Sequence, residues 1–178
     1  MFIYLTEYII LRLLFLILFA GSVLGITVHA SNLNNVVDDM LKGSIPVIRT
    51  TELNTQLAEN DELVLLDARE KSEYELSHLP AAQWIGYNDF SLKSVANINK
   101  DKTIVVYCSI GVRSERIAEK LKSNGFKSVL NLYGGIFAWA NEGRILMDKN
   151  QQSTQSVHGY NRKWAQLLED HVHSPQAQ

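Results

Sequence analysis

Short apolar runs recur along the chain, each followed by a stretch with the spacing of a helix. Pro46-Val47-Ile48-Arg49 begins the series as a short strand, and Thr50 or Thr51 is placed to cap a helix from about Glu52 to Glu59. Leu63-Val64-Leu65-Leu66 is a second run, suited to a strand buried on both faces, and it ends at Asp67. Glu70 to Leu76 then reads as a short helix, Gln83-Trp84-Ile85 as a third strand, and Asp89 to Val95 as another helix. Ile104-Val105-Val106-Tyr107 is a fourth strand, after which Ile117, Ala118 and Leu121 line one side of a helix opening near Ser114. Asn124-Gly125 ends that helix, because glycine takes the left-handed position that other residues avoid. Val129-Leu130-Asn131-Leu132 is the last sheet strand, Gly134-Gly135 turns the chain, and Ile136-Phe137-Ala138-Trp139 begins a closing helix. Strands alternating with helices predict an α/β sandwich with a mostly parallel sheet. Ligands of such sheets sit beyond the carboxyl ends of the strands, where Asp67 and Cys108 both fall.

The two ends of the chain read differently. Leu13 to Val28 carries no charge, Arg12 precedes it, and Val28-His29-Ala30 before Ser31 has the small-x-small form of a signal peptidase site. Residues 1–30 therefore read as a signal peptide or, left uncleaved, as a membrane anchor. Either delivers the rest of the chain to the extracytoplasmic side, periplasmic or secreted. Residues 31–44, rich in Asn and Asp, read as a polar linker with at most one helical turn. At the other end, Asp148 to Val157 is rich in Gln and Ser and reads as a second linker. Tyr160 to His171 has the spacing of one helix, with Trp164, Leu167 and Leu168 on one face to meet the domain or a protein partner. His171-Val172-His173 holds two histidines, a metal-ligand residue type, which in a tail are ordinarily solvated.

Charge and cysteine content narrow the chemistry. The 178 residues have a net charge of −2 and no Lys/Arg run, which gives no electrostatic footprint for nucleic acid. The sequence holds one cysteine, so it cannot staple itself with a disulfide. A lone cysteine after an apolar strand is ordinarily a small core residue. Here the following loop, Ser109-Ile110-Gly111-Val112-Arg113, contains a glycine for a tight curl and leads into a helix N-terminus at Ser114. Backbone N–H groups of such a turn converge on one spot, and the helix adds the positive end of its dipole. With Arg113 nearby, that setting favours the thiolate of Cys108, the nucleophilic form.

Tyr107 to Ser114, in the form YCxxGxRS, resembles the active-site segment of the rhodanese family of sulfurtransferases. Upstream, Leu65 to Ala82 is similar to that family's Asp-x-Arg…Glu-Tyr…His-(Ile/Leu)-Pro segment, and downstream Asn131 to Trp139 to its Gly-Gly-x-x-x-Trp segment. The resemblance spans Pro46 to Gly143 and implies a three-layer rhodanese-like domain over 45–146, with a linker and tail over 147–178. It also implies double displacement. Cys108 takes the outer sulfur of a donor such as thiosulfate or a persulfide, holds it as a persulfide, and yields it to a thiol or cyanide-like acceptor, with no metal or organic cofactor. Backbone N–H groups of Ile110, Gly111, Val112, Arg113 and Ser114 would steady the anion, with Ser109 completing the loop.

Asp67 and Arg69 read as supports that pin neighbouring loops. The resemblance gives His78 a structural place rather than that of a base for the sulfur. Trp84 and Trp139 read as packing residues. Three departures stand out. Ser109 and Ile110 are neutral where several relatives are basic, which disfavours dianionic thiosulfate; Ser77 and Ala81 replace glycines flanking His78-Leu79-Pro80. A cysteine-dependent phosphatase is the first rival, but its loop is one residue longer than Cys108 to Arg113. A non-catalytic rhodanese-like binding module is the second, since a fold does not fix an activity. A disulfide carrier is the third, and it lacks a resolving cysteine.

Overall fold

A computed structural model describes residues 32–59 and 62–175. The expected signal or anchor over 1–30 lies outside the described residues, and no helix among them is long and apolar enough to cross a membrane. Among the described residues the first element, α1 (residues 32–40), is followed by β1 (Val47–Ile48), α2 (Thr50–Glu59), β2 (Val64–Asp67), α3 (Lys71–Leu76) and β3 (Gln83–Trp84). Then come a 3₁₀ turn (Leu92–Val95), β4 (Thr103–Tyr107), α4 (Val112–Ser123), β5 (Ser128–Leu132) and α5 (Gly135–Asn141). A hairpin, β6 (Leu146–Met147) with β7 (Ser153–Thr154), and α6 (Arg162–Ala165) complete the chain.

Five strands form one parallel sheet in the order β1-β5-β4-β2-β3. The central strand β4 pairs with β2 on one side and β5 on the other, and Ile104 to Tyr107 are all solvent-free. Alternate side chains feed two cores, as the pleat requires. Val105 and Tyr107 join one cluster with Leu65, Leu132 and Phe137, while Ile104 and Val106 join the other with Leu66, Ile117 and Leu121. This is the three-layer α/β arrangement read from the sequence, and its strand ends bring Asp67 and Tyr107 side by side.

Both presumed linkers carry structure. Residues 31–44 read from the sequence as a polar linker with at most one helical turn, yet all of 32–40 is helical, because Leu33, Val37 and Leu41 recur at helical spacing and pack into the larger core. The Tyr133 hydroxyl donates to Asp38 Oδ1 (2.6 Å), and the Lys42 and Ser44 N–H groups donate to the Glu115 carboxylate, each at 2.9 Å. At the far end, Met147 exchanges backbone hydrogen bonds with His78, so the expected linker after 147 is seated on the turn before Leu79. The helix expected over 160–171 is confined to Arg162–Ala165. Leu167 and Leu168 bond back three residues, to Trp164 and Ala165, and this tighter turn drops both leucines and Val172 into the core. The helix expected over Asp89 to Val95 is only the 3₁₀ turn, since Val95 alone among its four residues is buried.

Ala81 settles a departure noted in the sequence. Leu79-Pro80-Ala81-Ala82 forms a turn closed by the Ala82 N–H on the Leu79 carbonyl (3.1 Å), with Pro80 in second place and Ala81 third at φ +61°. That third place wants glycine. Ser77, by contrast, lies in extended backbone at φ −164°, so its substitution costs the turn nothing, although its buried hydroxyl has no hydrogen-bond partner.

Candidate active site

Cys108 follows the last residue of β4 and is buried, 1% exposed, at the base of a pocket. Its carbonyl and that of Ser109 accept hydrogen bonds from Ile136 (2.9 Å) and Phe137 (3.1 Å) at the start of α5. Gly135 makes this approach possible. A Cβ there would lie 2.3 Å from the Cys108 oxygen and 2.6 Å from that of Ser109, so no side chain fits. With these carbonyls held outward, the loop curls and Gly111, at φ +112°, caps α4. Its N–H donates to Cys108 Sγ at 3.2 Å. Helix geometry leaves the N–H groups of Val112, Arg113 and Ser114 without an intrahelical acceptor on the same end.

The curl is braced from below. The Gly111 carbonyl accepts from Asn131 Nδ2 (3.0 Å), and the Ser114 hydroxyl lies within bonding distance of that carbonyl (3.0 Å) and of Asn131 Oδ1 (2.7 Å). Ser114 and Asn131 are both fully buried. A polar residue inside the apolar strand β5 is the sequence signal that marks Asn131.

Arg113 is already paired. Its guanidinium donates to both oxygens of Glu73 (2.7 and 2.8 Å) and to Ser109 Oγ (2.9 Å). Burial pulls its pKa down, but the Glu73 hydrogen bonds and the charges of Cys108 and Glu73 raise it further. Burial pushes the Glu73 carboxyl up, and Arg113 with Arg69 more than reverses this, holding it below the ordinary value. Arg113 is therefore not the uncompensated cation that the loop alone suggested. Glu73 belongs to the Glu-Tyr pair of the upstream segment, yet nothing in its spacing announced a partner forty residues on.

Asp67 and Arg69 sit deeper. Both are fully buried, with Arg69 Nη2 2.6 Å from Asp67 Oδ2 and 2.6 Å from the Ser77 carbonyl, while Trp84 Nε1 donates to the Arg69 carbonyl. Neither lines the pocket. His78 is stacked on Tyr74, with Nδ1 3.0 Å from the Tyr74 carbonyl and Nε2 3.3 Å from Gln151 Nε2. Trp139 is buried, donating to the Ile145 carbonyl. His171 Nε2 meets the Ala140 carbonyl, and among the described residues no group of His, Cys, Asp or Glu is arranged to hold a metal ion.

The pocket over the sulfur has a volume of about 170 Å³. Cys108, Ser109, Ile110, Val112 and Arg113 form its floor, and Met40, Tyr160 and Trp164 its wall. Gly111 and Ser114 shape the floor without lining it. The wall residues come from α1, in a stretch that reads as a linker from the sequence, and from the tail, whose Trp164 reads as part of a docking face.

Comparison with known proteins agrees with this architecture. Residues 50–142 match the rhodanese-like domain. A protein of Allochromatium vinosum named "Sulfurtransferase" is 33% identical over 96 residues, 54% of this chain and 89% of that one. The "Probable adenylyltransferase/sulfurtransferase MoeZ" of Mycobacterium tuberculosis is 36% identical over 102 residues, 57% of this chain but only 26% of the relative's length. The crystal structure of a rhodanese-like domain protein from Staphylococcus aureus superposes with a TM-score of 0.52 at 30% identity, covering 59% of this chain and 99% of that one. With its parallel sheet, its cysteine at the end of the central strand and its looped helix N-terminus, the chain belongs to the rhodanese-like domain family.

Proposed function

We propose that the chain is a sulfurtransferase that works through a persulfide on Cys108. The observation that carries this reading is the Gly111 N–H directed at Cys108 Sγ over 3.2 Å, at the mouth of α4 and the base of a pocket. Negative charge that builds on the sulfur during transfer is met there by the N–H groups and the positive end of the helix dipole. The thiolate attacks the outer sulfur of a donor such as thiosulfate or a persulfide. One S–S bond forms to Cys108 as the donor's own breaks, and sulfite or a thiolate departs with the bonding pair. The terminal sulfur, anionic and free of the protein backbone, extends toward the amides of Ile110 to Ser114. A thiolate or cyanide then attacks it and returns Cys108 to the thiolate. The route needs no metal or organic cofactor.

Ser109, Arg113 and Glu73 act as positioning residues that fix the curl of the loop, and the Asp67–Arg69 pair anchors the strand end behind it. We further propose, from the uncharged run of Leu13 to Val28 and the Val28-His29-Ala30 site, that the domain operates on the extracytoplasmic side, released or held by residues 1–30.

Intact mass spectrometry of the full chain after incubation with thiosulfate or a small persulfide tests the reading. A gain of one sulfur that is absent in Cys108→Ala supports it. No adduct from any donor favours a non-catalytic binding module instead, and hydrolysis of a phosphomonoester abolished by Cys108→Ser favours a phosphatase.

A further inference from the structure

The wall of the pocket comes from outside the segment that matches the family. Met40, Tyr160 and Trp164 all lie outside the residues that match the family, 50–142. The tail that brings two of them is firmly seated. Asn161 caps α6 through its side chain (Oδ1 to Trp164 N, 3.1 Å), Asn141 donates to the Leu167 carbonyl (2.8 Å), and Val157, Leu167 and Leu168 are buried. Tyr160 projects from this seat, half-exposed, with its ring face 5.3 Å from the Arg113 guanidinium carbon.

The charge of the pocket is as distinctive as its shape. Among the described residues that line it, Arg113 is the one with a cationic side chain, and that charge is taken up by the two-point contact with Glu73. A dianion entering here would leave its water for a lining made largely of Met40, Ile110, Val112, Tyr160 and Trp164, with no uncommitted cation among the described lining residues in return. A donor with one negative charge and a flat apolar group fits both halves, its charge against the amides and its ring against the aromatic wall. Size agrees, since an apolar cavity of roughly 150 Å³ takes up benzene, and this pocket measures about 170 Å³.

We infer that the donor is an organic sulfane-sulfur compound carrying a single negative charge and a group of about phenyl size, selected over inorganic thiosulfate by Tyr160 and Trp164. This rests on the sulfurtransferase reading above and narrows its substrate. For an aryl thiosulfonate, Ar–SO₂–S⁻, the Cys108 thiolate attacks the terminal sulfur. The new S–S bond forms as the S–SO₂ bond breaks, and the sulfinate Ar–SO₂⁻ leaves with the bonding pair. Charge balances, two anions giving persulfide and sulfinate.

The experiment compares kcat/KM for benzenethiosulfonate and thiosulfate in the full chain and in Tyr160→Ala. The two donors differ in intrinsic reactivity, so the decisive quantity is the change in their ratio. It should fall about 3- to 10-fold in Tyr160→Ala, the range of one aromatic contact, and recover in Tyr160→Phe. A ratio that does not move, with Cys108 still gaining sulfur, overturns this inference and leaves the proposed function standing. If neither donor loads Cys108, the proposed function falls. The pocket is then judged by calorimetry with benzenesulfinate: binding that is stronger than that of sulfite and weakened in Tyr160→Ala upholds the aromatic wall, and its absence overturns it.

Discussion

The Glu73 carboxylate clasps the Arg113 guanidinium at two points, 2.7 and 2.8 Å, across forty residues of sequence. This pair joins α3 to the first turn of α4 and leaves the loop's arginine committed to structure. In Glu73→Gln the guanidinium keeps its site but loses its counter-charge. Removing one partner of a buried pair costs about 3–5 kcal/mol, and the partial exposure of Arg113 reduces this to roughly 2–3 kcal/mol by solvent screening. Urea unfolding should show that loss as a lower midpoint at unchanged slope, and a midpoint equal to the parent's would refute the clasp.

Ala81 occupies a left-handed position at φ +61°, third in the turn that Pro80 opens. A left-handed conformation costs an ordinary residue about 1–2 kcal/mol, partly offset because glycine loses more chain entropy on folding. Ala81→Gly should therefore stabilise the protein by about 0.5–1 kcal/mol. Thermal unfolding reads the shift, and a lower melting temperature would contradict the strain.

The sheet and the sulfur loop were legible in the sequence because each is written locally. Ile104 to Tyr107 is a buried run, Gly111 a curl, and Ile117 to Leu121 a helical face, all within a short span. The helix over 32–40 was hidden by its asparagines and aspartates, although Leu33, Val37 and Leu41 carry the period that buries it. Trp164 shares a helical spacing with Leu167 and Leu168, which marks a docking face but not the pocket it meets, and Tyr160 carries no such signal. Their place depends on where Leu167, Leu168 and Val172 dock, a tertiary fact that no local pattern encodes. Arg113 was recognised but its neutralisation was not, since Glu73 meets it only in the folded chain.

Leu33 gives the helix over 32–40 its test. It is 3% exposed in the larger core, and emptying such a site costs about 2–5 kcal/mol for a leucine. Leu33→Ala should lower stability within that range, as read by denaturant unfolding of the full chain. A change below half a kcal/mol, roughly the ordinary surface effect, would return the segment to the status of a linker.

His158 makes the tail sensitive to acid. Its Nδ1 accepts the Tyr160 N–H at 3.0 Å, which requires the neutral ring. Burial lowers its pKa below the ordinary 6.5, with Glu73 opposing and Arg69 and Arg113 adding to the effect. A depressed folded pKa means that the unfolded chain binds the proton more readily. The stabilisation is thus complete above pH 6.5 and lost as pH falls through the lower folded value. Proteolysis of the tail followed from pH 7.5 to 5 should quicken in that window, and His158→Gln should flatten the dependence. An equally steep profile in the variant would assign it to another group.

Met40 and Trp164 reach the same opening from opposite ends of the polypeptide. Any molecule that settles between them is gripped by both termini of the described fold at once. Occupancy and terminal docking are then one linked equilibrium, in which a guest tightens the ends and loosened ends release the guest. A fragment trimmed to the family's borders would keep Cys108 but forfeit that grip, and with it the means of telling one visitor from another.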